Sequence, residues 1–349
     1  MDQRLRQIIT QMAKIELHVH LEGSISPPTA IALMQRNNPS APAKTEQDIR
    51  HLYRFGNLGE FVQAMRSVSN NIMRLEDLTL VADELLAELV SQSVRYVEID
   101  CAVQKYIDLG FELGEIVTAL FDSAVRAERG KGIVSKLVIN LQRHHGDEKN
   151  RELVERVVRL NHPFIVGVGL SGDETQFPQK LFARTFSAAR EAGLHRTVHA
   201  GEALPPASIW DAINYLFAER IDHGTTACQD ASLMAYLVEH RIALTQCLSS
   251  NLQLKVVENI QQHPFADFLR RGMLVSLHTD DPQVFNTCLN DEYLLAAESF
   301  GLTFDEMKRI VMNAASSSFL PEAEKQALIK RIDGELFTLS KIMAQGHDL

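Results

Sequence analysis

The chain has 349 residues, 45% of them hydrophobic and 23% charged, enough for one large α/β core with helices outside it. A formal net charge of −10 lacks the basic face that phosphate backbones demand, so nucleic acid is not expected as a partner. Cys101, Cys228, Cys247 and Cys288 form no CxxC pair, residues 1–14 carry no apolar leader, and no apolar run reaches membrane-spanning length, which points to a cytoplasmic protein without a membrane partner.

Short β-branched runs recur along the chain, each followed by a longer helical stretch. The first is IELHVH at 15–20. Residues 21–94 then hold helical patterns at 27–36, 45–52 and 58–72, expected to cap the mouth of the fold, and a longer one at 78–93. RYVEIDC at 95–101 is the second strand, and 113–130 the helix after it, ending at Gly130. SKLVINL (135–141) and FIVGVGL (164–170) follow, then a helix over 178–194. RTVHA (196–200), RIDHG (220–224), IALTQC (242–247) and LVSLHTD (274–280) complete eight strands. Eight buried strands alternating with helices predict a closed parallel (β/α)8 TIM barrel, with a doubly wound open sheet as the alternative. The whole chain, 1–349, reads as a single domain, with the barrel at about 14–300 and outer C-terminal helices at about 303–345.

Catalysis in such a barrel sits at the C-terminal ends of the strands. Strand one ends His18-Val19-His20, and alternation puts both imidazoles on one face, where they can grip a single cation. Strand five ends His199-Ala200-Gly201-Glu202, strand six Asp222-His223-Gly224, and strand eight Asp280-Asp281. Neutral imidazoles and a carboxylate are donors that zinc accepts. Strand four ends Gly169-Leu170-Ser171-Gly172, without the lysine that often bridges two metals. One metal is therefore expected, with His18, His20, His199 and Asp280 as ligands and His223 left for acid–base work. His278 is read as lining or supporting the site, Cys247, Ser249 and Ser250 as packing or supporting residues, and the remaining histidines, His263 among them, as ordinary surface or core residues.

The stretches KIELHVHLEGS (14–24), RYVEID (95–100), GLSGDET (169–175), HAGE (199–202), RIDHGT (220–225), SLHTDDP (276–282) and NAASSSFLPEAEK (313–325) resemble, in this order, the adenosine deaminase family. The resemblance implies one zinc ion per chain, held by His18, His20, His199 and Asp280, and a small-molecule purine substrate. It further implies that Glu202 protonates purine N1, that His223 orients and deprotonates the attacking water, that Asp281 bonds N7, and that the Gly172 N–H meets N3. Where many family members carry an aspartate that contacts the ribose 5′-hydroxyl, this chain has Glu22, as do relatives acting on adenine or on 5′-altered adenosines. Phe55 and Phe61 are expected in an apolar lid. Adenosine, deoxyadenosine or a 5′-modified adenosine is the expected substrate, and adenine the alternative. A related cyclic-amide or ester hydrolase would need a second metal or a different acid in place of Glu202, and an inactive binding module would have lost a ligand or that acid. The oligomeric state is left open.

Overall fold

In the computed structural model, which describes residues 3–56 and 58–344, eight strands are laid side by side in the order of the chain. They are β1 (Lys14–His20), β2 (Val94–Cys101), β3 (Val134–Gln142), β4 (Ile165–Ser171), β5 (His195–Ala200), β6 (Arg220–His223), β7 (Ala243–Gln246) and β8 (Val275–Leu277). Every neighbouring pair is parallel. The ring closes through a parallel bridge between Val19 and Asp280, with Asp280 N donating to His18 O and His20 N to Asp280 O, each at 2.9 Å. The closed barrel, not the open sheet, is the fold. Covering by helices explains why the strands are nearly continuous runs of buried residues.

Between β1 and β2 stand the expected helices Pro27–Asn37, Glu46–Leu52 and Leu58–Ser69, followed by Leu75–Ser91. The first starts at Ser26, whose side chain accepts from Thr29 N, with proline at the first helical position; the second starts with a Thr45/Asp48 capping box. The third ends at Ser69, three residues short of the expectation. The helix Leu113–Lys131 runs past Gly130 and stops at Gly132, whose φ of 73° supplies the left-handed cap. Two helices, Phe304–Ser317 and Glu322–Ala344, form the C-terminal tail, the first packed on β1 and β8. Residue 345, the last of the expected tail, and His347 lie outside the described residues.

β6 and β8 end earlier than alternation suggests. Pairing in β8 stops at Leu277, and Asp280 takes a φ of 62°; β6 stops at His223, with φ 64°. A left-handed residue at the strand end breaks the two-residue period, so neighbouring side chains no longer leave on opposite faces. Among the described residues no helix is long and apolar enough to cross a membrane.

Candidate active site

β1 carries His18 and His20 to the C-terminal mouth, β5 brings His199, and the turn after β8 brings Asp280; all four are buried. The Nε2 atoms of His18 and His20 lie 3.2 and 3.3 Å from Nε2 of His199. Asp280 Oδ1 lies 3.5 Å from Nε2 of His18 and 3.3 Å from that of His20. The four donor atoms fall within 4.8 Å of one another. Two donors bonded to one zinc ion at about 2.0–2.2 Å lie at most roughly 4.4 Å apart, and the four contacts given above are shorter, so the set fits zinc in distance and in chemistry.

Outer contacts aim the rings. The Thr245 hydroxyl gives its proton to Asp222 Oδ1 at 2.9 Å and so accepts from His18 Nδ1 at 3.0 Å. Asp222 Oδ2 lies 3.3 Å from His199 Nδ1. Both rings thus carry their proton on Nδ1 and keep a lone pair on the inward Nε2. His20 Nδ1 lies 3.2 Å from the Asn140 amide, and Ser250 Oγ donates to Asp280 Oδ2 at 2.7 Å. Asp222 also accepts from Thr197 Oγ1 at 2.7 Å, and His18 and His199 hold its carboxyl well below the usual range despite its burial.

His223 and Glu202 face the same cluster. His223 Nε2 is 3.5 Å from Glu202 Oε1 and 3.9 Å from Asp280 Oδ2. Burial, reinforced by the negative charges of Asp280 and Glu174, pushes the Glu202 carboxyl up to about 8, so it is mostly protonated at neutral pH. Burial also holds His223 well below its ordinary value, in the neutral form. Asp281 is raised well above the usual carboxylate range by burial and by Asp280 beside it, and its Oδ1 is buried without a partner. A Cβ on Gly23 would overlap the Asp281 side chain, which explains the glycine in the segment after β1.

Glu22 is buried, and its Oε1 accepts from Tyr106 OH at 3.0 Å and from Ala102 N at 3.2 Å. Gly172 follows β4 with φ 102°, a backbone that favours glycine. Phe61 stacks on Phe285 with ring centres 5.3 Å apart, and Phe55 meets Phe61 edge-on at 5.2 Å, so a small aromatic cluster joins the helix Leu58–Ser69 to the turn that carries Asp281. His278 points into the barrel, where its Nδ1 lies 2.8 Å from Glu16 Oε1.

Asp222, Glu174 and Phe285 were not singled out from sequence. Glu174 accepts from Glu202 N at 3.1 Å, Ala203 N at 2.6 Å and Leu204 N at 2.8 Å, and through its other oxygen from Gly201 N at 3.3 Å. It therefore fixes the backbone that presents Glu202. No spacing rule marks such a residue, because its partners are backbone groups of a distant loop. Asp222 had a signal, since it precedes His223 at the end of an inward-facing strand.

A family model described as adenosine deaminase matches residues 13–335. The chain is 37% identical over 322 residues to an adenosine deaminase of Edwardsiella ictaluri, covering 90% of this chain and 96% of that protein. It is 34% identical over 331 residues to an aminodeoxyfutalosine deaminase of Streptomyces avermitilis, covering 94% and 92% respectively. The crystal structure of adenine deaminase from Arthrobacter aurescens matches with a TM-score of 0.89 at 28% identity, over 95% of this chain and 99% of that one.

Proposed function

Since this chain belongs to the adenosine deaminase family, hydrolases acting on the C–N bonds of cyclic amidines, we propose that it deaminates adenosine, deoxyadenosine or a 5′-modified adenosine, releasing ammonia. The observation that carries the reading is Glu202: a carboxyl group kept protonated by burial, 3.5 Å from His223 and beside a cluster of four metal donors.

His18, His20, His199 and Asp280 would hold zinc, which would supply an activated water by lowering its pKa to about 7. The chain's own groups read the purine. N1, N3 and N7 of the ring are all acceptors, and each is given a donor: the Glu202 carboxyl, the Gly172 N–H and the Asp281 carboxyl. The raised pKa of Asp281 fits this role, because only the protonated acid can donate to N7. Glu202 passes its proton to N1, which leaves C6 electron-poor. Oxygen adds at C6 while His223 Nε2 orients it, and the C6–N bond then breaks. The two protons of the water end on Glu202, restoring the acid, and on the departing amine.

Phe61, with Phe55 and Phe285, covers the apolar side of the ring. Glu22 stands where the family places the contact to the 5′ end of the sugar, and its extra methylene favours a substrate altered there. That same side chain supports adenine as a second reading, as does the likeness to the Arthrobacter aurescens structure. A parallel assay of adenine, adenosine, deoxyadenosine and 5′-modified adenosines, followed by loss of absorbance near the adenine band, decides between them. Turnover of the nucleosides is expected, turnover of adenine alone supports the second reading, and zinc-loaded protein inert toward every 6-aminopurine overturns both.

A further inference from the structure

His223 differs from His18 and His199 in what holds its outer nitrogen. Theirs face acceptors, whereas His223 Nδ1 lies 3.2 Å from the side-chain amide nitrogen of Asn251. Which end of that amide turns toward His223 is decided farther out. Phe265 opens the helix Phe265–Arg270, so its N–H has no partner within the helix. It donates instead to His263 Nδ1 at 3.2 Å. A ring nitrogen that accepts carries no proton, so the proton of neutral His263 sits on Nε2, 3.0 Å from Asn251 Oδ1. Burial supports the neutral form by pushing His263 down to about 3. Thr225 Oγ1 lies 3.1 Å from the same oxygen, as a second donor. With Oδ1 taken by donors, the NH2 end of Asn251 is the one that meets His223, and His223 Nδ1 has to accept. Nε2, buried and 3.5 Å from Glu202 Oε1, then carries the proton into the cavity.

From this relay we infer that Asn251 and His263 are positioning residues that fix the Nε2–H tautomer of His223, so that His223 meets the attacking oxygen as a hydrogen-bond donor and not as the base that removes its proton. The role toward the attacking oxygen rests on the deaminase reading; the tautomer does not. The two are therefore tested apart.

Long-range 1H–15N NMR of the purified holoprotein labelled at histidine, with His223 assigned by its loss in His223→Gln, reads the tautomer without substrate. The expected spectrum has an unprotonated Nδ1 and a protonated Nε2 at His223; a proton on Nδ1 overturns the inference, whatever the enzyme deaminates. Asn251→Asp exchanges the donating NH2 for an oxygen. Forcing an acid–base imidazole into the wrong tautomer can cost up to roughly 10,000-fold, so a loss in kcat of about 100-fold or more is expected, with bound metal unchanged and the His223 proton moved to Nδ1. His263→Gln, whose amide can still donate to Asn251 and accept from Phe265, restores most of the kcat that His263→Leu loses. Asn251→Asp with kcat within about twofold of the parent overturns the inference. Should that variant fail to fold, the spectrum of the parent protein decides alone.

Discussion

Adjacent carboxyl groups in one cavity are pushed in opposite directions. Asp280 lies among His18, His20 and His223, and His18 and His20 hold it well below the usual carboxylate range, while Asp281, its neighbour in the chain, is driven up by burial and by Asp280 itself. Glu202 is driven up for the same two reasons. Groups pushed apart in this way divide the labour of a site between anion and acid. Replacing Glu202 by glutamine keeps the shape and removes the transferable proton, so kcat falls roughly 100- to 10,000-fold while the metal stays bound, as steady-state kinetics with metal analysis will show. In the proposed mechanism the protonated form of Glu202 is the active one. Its activity is therefore full below its raised pKa and declines as pH rises through about 8, a limb that kcat/KM measured against pH will locate. Asp281→Ala raises KM and lowers kcat with the metal retained, and Asp281→Asn, which can still donate to N7, loses less.

Strand ends decide which of these groups meet. The HxH of β1 could be read from sequence because a two-residue period places both rings on one face, and His199 and Asp280 because they close runs of β-branched residues. The eight strands were readable because each is a short run holding β-branched or apolar residues between helical stretches. The groups that aim the ligands were not. Glu174 and His263 lie on loops and Asn251 on the short helix Leu248–Gln253, and no spacing rule marks their contacts to other elements. Strict alternation sends Asp222 and His223 to opposite faces, whereas the φ of 64° at His223 relaxes that rule, and both side chains reach the cluster. Gly130 lies inside its helix, which ends only where Gly132 supplies the left-handed backbone. Loop residues of this kind carry measurable weight. Glu174→Ala removes the acceptor of the Glu202, Ala203 and Leu204 N–H groups, while Gly201 N keeps Ser208 Oγ at 2.9 Å, and the loosened loop lowers both thermal stability and kcat. Gly23→Ala pushes on the Asp281 side chain and raises KM more than it lowers Tm, a split that kinetics and calorimetry together resolve.

The barrel closes beside the four candidate metal donors. β1 and the segment after β8 are joined by the Val19–Asp280 bridge, and the ligands flanking that bridge come from both ends of the ring, with His199 opposite on β5. A cation held there ties the first strand to the last, and a ligand that binds only the folded chain stabilises it by about 4 kcal/mol at a thousand times its dissociation constant. Removing metal with a chelator therefore lowers Tm, and adding back zinc restores it, in a thermal melt. The most direct test of the whole account is diffraction from crystals of the zinc-loaded protein at the zinc absorption edge. One anomalous peak per chain, within bonding distance of His18, His20, His199 and Asp280, is the predicted result. A peak elsewhere, or a second one of equal height in the cavity, contradicts it.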